Sequence, residues 1–181
     1  MPSSIASAVF LALSTLTLAS PLSSRAVPIR TGKVFLHHSI EGQGLALGSK
    51  VGCLDVNGRL ILESSACASY TTPTQAIAIA STNAGECGFH FADEPKNPDA
   101  PSWSAFRCKS EGTGSHDYPD QFALLESGGN TYVVTAAGSG ANWGVFTKSL
   151  PKGNGDAVDV FTRAFNLGEG SIDMLWIFKD V

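Results

Sequence analysis

Short apolar segments set the hydrophobic pattern of this chain after its first thirty or so residues. They are rich in Val, Ile, Phe, Tyr, Trp and Thr, and they are separated by Gly, Pro, Asn and Ser. β-Branched and aromatic residues favour strands, and the separating residues favour turns. The pattern therefore predicts an all-β protein, built as a small barrel or sandwich. The candidate strands are KVFLHH, GLALG, GCLDV, RLILES, QAIAIAS, CGFHFA, SWSAFRC, QFALLES, TYVVTAA, NWGVFTK, AVDVFTRAF and MLWIFKD.

One segment, DAVDVFTRAFNLG, is the best candidate for a helix. Asp156 could cap its first turn, and Gly168 could end it. Its content of Val, Phe and Thr nevertheless favours a strand. We therefore expect strand in this region.

The N-terminal residues have a different composition from the rest of the chain. Ala6–Ala19 is apolar or small and uncharged, and it is too short to span a bilayer comfortably. We interpret residues 1–19 as a secretory signal peptide, with an N-terminal core helix as the alternative. Residues 20–31 then form a flexible arm or a short propeptide. Residues 32–181 form one β domain, which we expect to be a secreted, extracellular monomer without a membrane span.

The charge balance bears on the partners of the protein. Lys and Arg total 12 and Asp and Glu total 16, which gives a formal net charge of −4. Nucleic acids and anionic membranes are bound by basic surfaces, and the sequence has no run of Lys or Arg. We therefore expect neither to be the main partner.

The four cysteines all follow the predicted signal peptide, at Cys53, Cys67, Cys87 and Cys108. An even number in an exported chain predicts two disulfides, and three pairings are possible. We favour Cys53–Cys67 and Cys87–Cys108, because each pair closes a local loop. The spacing of Cys87 and His90 resembles part of a zinc site, but no second pair completes it. No metal or other cofactor is expected.

The stretch CLDVNGRLILESSAC, from Cys53 to Cys67, has the pattern of a β-hairpin. Leu54 and Val56 alternate with Cys53 and Asp55 before a turn signal at Asn57-Gly58, which suits a type I′ turn. The Cys53–Cys67 bridge would close the open end of this hairpin. Asp55 has no required part in that arrangement, which leaves room for a functional one.

The segments GCLDVNGRLI and TQAIAIA resemble the first repeat of a ricin-B-type β-trefoil domain, over residues 32–80. In that family a Cys-Leu-Asp-Val segment opens the repeat, a second cysteine closes a disulfide, and a Gln-x-Trp motif follows. Cys53 and Cys67 match the two cysteines. Gln75 takes the Gln position of the last motif, with Ile in place of Trp. The resemblance implies a degenerate β-trefoil, with another small β-barrel or a β-sandwich as the alternative fold.

The same resemblance implies a carbohydrate site. In the family, the Asp of the motif accepts hydrogen bonds from sugar hydroxyls, and an aromatic ring stacks on the sugar. By that match Asp55 is the acceptor, Gln75 a supporting residue and Tyr70 the nearest candidate for the ring. The alternative is that Asp55 caps the hairpin and Gln75 bonds to the backbone.

Non-catalytic binding of a carbohydrate or a cell-surface ligand is the function that these residues predict, with a glycan or a cell-surface protein as partner. A secreted cell-wall or host-interface protein without sugar binding is the first alternative. A small secreted hydrolase is the second, because one Gly- and Pro-rich loop brings a histidine close to carboxylates. No nucleophile motif accompanies them, so we expect no enzyme activity. The residues of that loop are His116, Asp117, Tyr118 and Asp120.

Overall fold

Strands and turns make up most of the described residues in a computed structural model, which describes residues 29–73, 80–110, 121–137, 140–163 and 169–181. The one helical element among these residues is a single 3-10 turn at Ser64–Ala66. The all-β prediction is therefore confirmed, while the trefoil arrangement stays a prediction. The strands are β1 (Ile29–Ser39), β2 (Leu47–Leu54), β3 (Leu60–Ile61), β4 (Tyr70–Pro73), β5 (Ser81–Thr82), β6 (Gly85–Gly88), β7 (Lys96–Asn97), β8 (Ala100–Ser104), β9 (Arg107–Lys109), β10 (Gln121–Ser127), β11 (Asn130–Ala137), β12 (Gly140–Asn142), β13 (Gly144–Thr147), β14 (Phe161–Thr162) and β15 (Ile172–Asp180).

Two long strands, β1 and β15, organise the main sheet. They pair antiparallel, with Phe35 opposite Ile177. The other side of β1 is shared, since β4 pairs with its first part and β2 with its second. The other side of β15 is shared in the same way by β13 and β11. Both strands therefore lie inside the sheet, where every part of them has a neighbour to bond to.

The remaining strands extend this centre. From β4 the sheet continues through β5 and β6 to β9, and from β11 it continues to β10, while β7 and β8 form a separate pair. The segment with the helix-like composition contributes β14, which pairs with β13. The expectation of strand is thus confirmed for Phe161–Thr162, and residues 164–168 lie outside the described part of the chain. β1 includes Ile29–Thr31, which the sequence interpretation assigned to the arm before the β domain.

Four aromatic rings form the centre of the core. Every pair among Phe89, Phe106, Phe122 and Trp176 has ring centroids between 5.1 and 6.2 Å apart. All four side chains are buried. They come from different parts of the chain, and tilted or edge-on aromatic pairs add to the burial of their apolar area. The core therefore joins the two ends of the sheet.

Both predicted disulfides are present. Cys53 and Cys67 are bonded across 14 residues with Cα atoms 5.6 Å apart, and Cys87 and Cys108 are bonded across 21 residues. Cys87 and Cys108 lie directly opposite each other on β6 and β9. Among the residues that the structure describes, no helix is long and apolar enough to cross a membrane.

Candidate functional site

The predicted hairpin exists, but its turn differs from the predicted type I′ turn. The amide of Gly58 donates to the carbonyl of Asp55 at 3.1 Å, and the amide of Asp55 donates to the carbonyl of Arg59 at 2.9 Å. Gly58 has φ of +86°, the left-handed region that glycine tolerates. These contacts define a three-residue loop, a turn followed by a glycine bulge, in place of the two-residue turn.

Asp55 supplies the first position of this turn, and its side chain stabilises it. Its Oδ1 atom accepts hydrogen bonds from the amides of Asn57 and Arg59, both at 2.9 Å. Its Oδ2 atom lies 3.4 Å from Nε of Arg59, and the Asp55 side chain is 14% exposed. An aspartate that bonds the backbone two residues on is a common way to fix a turn. The turn therefore uses the same carboxylate that the family resemblance assigns to sugar.

Tyr70 lies beneath the turn rather than on the surface. It is 2% exposed, and its hydroxyl donates to the carbonyl of Asp55 at 2.7 Å. Burial, and secondarily the charge of Asp55, raises the pKa of the Tyr70 phenol well above its usual range. The ring belongs to the core, so it is not placed to stack on a ligand. Tyr70 thus stabilises the turn at Asp55. The family resemblance had assigned its ring to stacking on a sugar.

The other predicted site residues cannot be placed beside this turn. Gln75 lies outside the described residues, and so do His116, Asp117, Tyr118 and Asp120. Of the predicted ligand-binding set, the structure brings together Asp55 and Tyr70, and it does so through a backbone carbonyl.

A different set of side chains lies on the outer face of β1, the face opposite the core. Val34 and Leu36 are buried, whereas Lys33, Phe35 and His37 alternate with them and are partly exposed. Phe35 packs against the small cluster around the Cys53–Cys67 disulfide. Its ring is therefore held by a cross-linked part of the sheet, while the residue stays partly exposed.

Lysines surround this ring. Nζ of Lys50 lies 4.3 Å from the centroid of the Phe35 ring, and Nζ of Lys179 lies 5.6 Å from it. The two ammonium groups are thus at most about 10 Å apart. Lys33 lies two residues before Phe35 on the same face of β1, directly opposite Lys179. We call these four residues the lysine–phenylalanine face.

The pairing of Lys33 with Lys179 is unfavourable by itself, because like charges directly opposite each other on neighbouring strands repel. Among the described residues, no carboxylate lies within ion-pair distance of Lys33, Lys50 or Lys179. Lysines at open strand edges discourage aggregation, and the printed pairings give Lys33 and Lys179 only each other as partners. The like-charge pair itself adds nothing to the stability of the sheet, so this positive charge is available to a partner outside the fold.

A second charged cluster has the opposite character. Nε of Arg107 lies 2.7 Å from Glu94, its Nη1 donates to the carbonyl of Phe106 at 2.7 Å, and its Nη2 pairs with Asp159. Lys109 pairs with Glu94 and, at 2.7 Å, with Asp93. The hydrogen bond from Lys109 lowers the pKa of Asp93.

This cluster, the Arg107 network, is internally matched. Arg107 is 8% exposed and uses its guanidinium on three partners from three parts of the chain. A buried guanidinium with matched partners holds segments together, and it leaves little capacity for a ligand. We therefore place the candidate binding site at the lysine–phenylalanine face.

Sequence reasoning missed this face. The alternation within KVFLHH could have marked Lys33 and Phe35 as outward-facing. Lys50 and Lys179 join them only through the register of β2 and β15 with β1, which the sequence does not reveal.

No group of three or more His, Cys, Asp or Glu side chains in the described part of the chain is arranged to hold a metal ion. Comparison with known proteins finds no matching family model, no matching curated protein and no matching solved structure.

Proposed function

We propose that this protein is an extracellular, non-catalytic binding protein, and that its ligand is a carbohydrate presented on a cell surface. The observation that carries the proposal is the partly exposed Phe35 ring, fixed beside a disulfide and flanked by lysines that lack carboxylate partners among the described residues. An aromatic ring offers an electron-rich face to the polarised C–H groups of a sugar. The lysine ammonium groups supply hydrogen-bond donors around it.

The scaffold supports a binding role. Two disulfides and the four-ring core hold the strands that carry the site, so a ligand would meet a preorganised surface and lose little affinity to ordering. Rigid elements position binding side chains more accurately than loops do.

The pKa shifts of three described carboxyl groups fit a structural role for those groups. In the described ranges, the carboxyl groups with a clear shift are Asp93, Glu126 and Asp180, and a basic partner lowers the pKa of each. A general acid that works near neutral pH needs a raised carboxyl pKa instead. These groups are suited to ion pairs rather than to proton transfer.

A glycan-array screen of the purified protein tests the proposal. We expect binding by the wild type, loss of binding by Phe35→Leu and retention by Trp143→Leu. Trp143 is the matched control, because it is also a partly buried aromatic residue but belongs to a separate cluster with Tyr132 and Leu175. Leu at position 35 keeps apolar contact with the disulfide cluster, so the fold is preserved.

The role of Asp55 is tested on the same array. Asp55→Asn keeps an oxygen that can accept from the two turn amides but removes the charge. Loss of binding by this folded variant would assign Asp55 to the ligand, as the family resemblance implies. Asp156→Asn is its control, because Asp156 caps another turn by accepting from the amide of Lys152 at 2.7 Å. Silence of the wild type on the whole array would contradict the carbohydrate proposal and favour a cell-surface protein as partner.

A further inference from the structure

We infer that the lysine–phenylalanine face selects acidic polysaccharides, whose sugar rings carry carboxylate or sulfate groups in a regular series. This inference rests on the proposed function and names the ligand class of the same site. It follows from three features of the face: the number of its positive charges, their arrangement around one ring, and the absence of local compensation among the described residues.

The charges are concentrated against the overall balance of the molecule. The chain carries a net charge of −4, yet Lys50 and Lys179 lie beside one ring and Lys33 lies opposite Lys179, without a carboxylate among the described residues that neutralises them. Several other basic side chains do have carboxylate partners, as with Arg30, which binds both Glu126 and Asp180. A ligand with anionic groups would supply the partners that the three lysines lack among the described residues.

The register sharpens this contrast. On the β1–β15 ladder, Gly32 faces Asp180 and the next pair is Lys33 with Lys179. One ladder position thus carries an acid that Arg30 neutralises, and its neighbour carries two positive charges. A single acidic side chain at position 33 or 179 would remove the repulsion. An external anion that bridges both ammonium groups would do the same.

The arrangement fits a repeating anion better than a single one. The ammonium groups of Lys50 and Lys179 lie near one ring from neighbouring strands on either side of β1, at most about 10 Å apart. A chain that crosses β1 could place successive acidic groups on these two lysines and a sugar ring against Phe35. A lysine held near a ring by an exposed cation–π contact is easily redirected to an anion, because that contact is weak.

The experiment measures the affinity of the purified protein for four soluble probes by calorimetry: polygalacturonate, dextran sulfate, neutral dextran and duplex DNA. We expect binding to polygalacturonate or dextran sulfate and none to neutral dextran. The preference between the first two distinguishes carboxylate from sulfate as the recognised group. DNA that binds as tightly as the acidic polysaccharides would overturn the inference, because the face would then recognise charge alone.

Variants connect the affinity to the face. The triple variant Lys33→Gln, Lys50→Gln, Lys179→Gln should bind roughly 30-fold more weakly, about threefold for each exposed positive charge that is removed. Lys152→Gln removes one exposed positive charge elsewhere and should change the affinity by less than about twofold. The affinity of the wild type should fall with salt, and the triple variant should show a shallower dependence.

The outcomes separate this inference from the proposed function. Binding of a neutral glycan that survives in the triple variant would overturn the acidic ligand and keep the carbohydrate role. An unchanged affinity for acidic polysaccharides in the triple variant would also overturn the inference. Absence of binding to every glycan would overturn both. A thermal unfolding midpoint equal to or above that of the wild type would show that the triple variant is folded.

Discussion

The Arg107 network and the lysine–phenylalanine face place charge in opposite ways. Arg107 is 8% exposed and is fully partnered by Glu94, Asp159 and a backbone carbonyl. The lysines around Phe35 reach solvent and have no carboxylate partner among the described residues. Buried charge must be matched within the fold, whereas exposed charge can be left for a partner outside it. The contrast separates side chains that support the structure from those available to bind.

The largest effect is expected from breaking the Arg107 network. Arg107→Met should lower the free energy of unfolding by about 4 kcal/mol, because Glu94 and Asp159 lose their buried partner. Urea unfolding would measure it. The control is Arg163→Gln, whose partner Asp173 lies 3.0 Å away but whose own side chain is 45% exposed. It should lose less than about 1 kcal/mol, and an equal loss in both variants would contradict the distinction between the two kinds of charge.

The two disulfides test the same distinction, because one lies beside each region. Replacing either pair by alanine should cost about 3 kcal/mol in a chain-entropy account, since each closes a loop of similar length. Only the loss of Cys53–Cys67 should also weaken ligand binding, because Phe35 packs on that bridge. Calorimetry at a temperature where both variants are folded would compare them. Equal weakening of binding by the two pairs would place the site elsewhere.

A fall in pH should weaken the ion pairs that Arg30 forms with Glu126 and Asp180. Arg30 bonds Glu126 and Asp180 and so ties β1 to β10 and β15, and its hydrogen bonds lower the pKa of both carboxyl groups. A carboxyl whose folded pKa lies below its unfolded value, near about 4, stabilises the fold above that value. The contribution is lost as the pH falls through the folded pKa. The decrease in melting temperature between about pH 6 and pH 3 should therefore be smaller in Arg30→Gln than in wild type. The same decrease in both proteins would show that the ion pairs of Arg30 do not contribute to stability. Lys152→Gln controls for the loss of a positive charge.

The smallest expected effect comes from correcting the like-charge pair. Lys179→Glu places an acid opposite Lys33 and should raise the free energy of unfolding by roughly 0.5 kcal/mol. It should also abolish binding of an acidic ligand, since it reverses one of the charges near Phe35. Thermal unfolding and calorimetry on one preparation would measure both. A variant that is more stable and binds equally well would show that Lys179 takes no part in binding.

Local signals explain what the sequence could predict. The all-β class, the place of the hairpin and both cysteine pairings depend on residues close together in the chain, and each is confirmed. The turn type was wrong although Asn57-Gly58 is a strong signal. The Asp55 carboxylate stabilises a longer loop in which Gly58 alone needs positive φ, and Gly58 packs against Phe106 there.

The candidate site depends on contacts that no local signal reports. Tyrosine is a residue type that is common in binding sites, but the packing of the whole sheet places the Tyr70 ring in the core. Lys50 and Lys179 meet Phe35 because of strand register, which is set by the complete set of pairings around β1. A reader of the sequence can find an aromatic residue flanked by polar ones, but not the distant lysines that complete the face.

The pairing of β1 with β15 has a consequence for how the molecule is made. Of the described strands, the first to leave the ribosome has the last as its partner along seven residue pairs. β1 must therefore wait, with an open edge, until synthesis has reached β15, and pairings between distant segments form slowly. Completion of the sheet, and of the face that contains Lys33 and Lys179, becomes a post-translational event. A chain released before Ile172 would have the disulfide-linked hairpin but neither the closed centre of the sheet nor the full set of charges around Phe35.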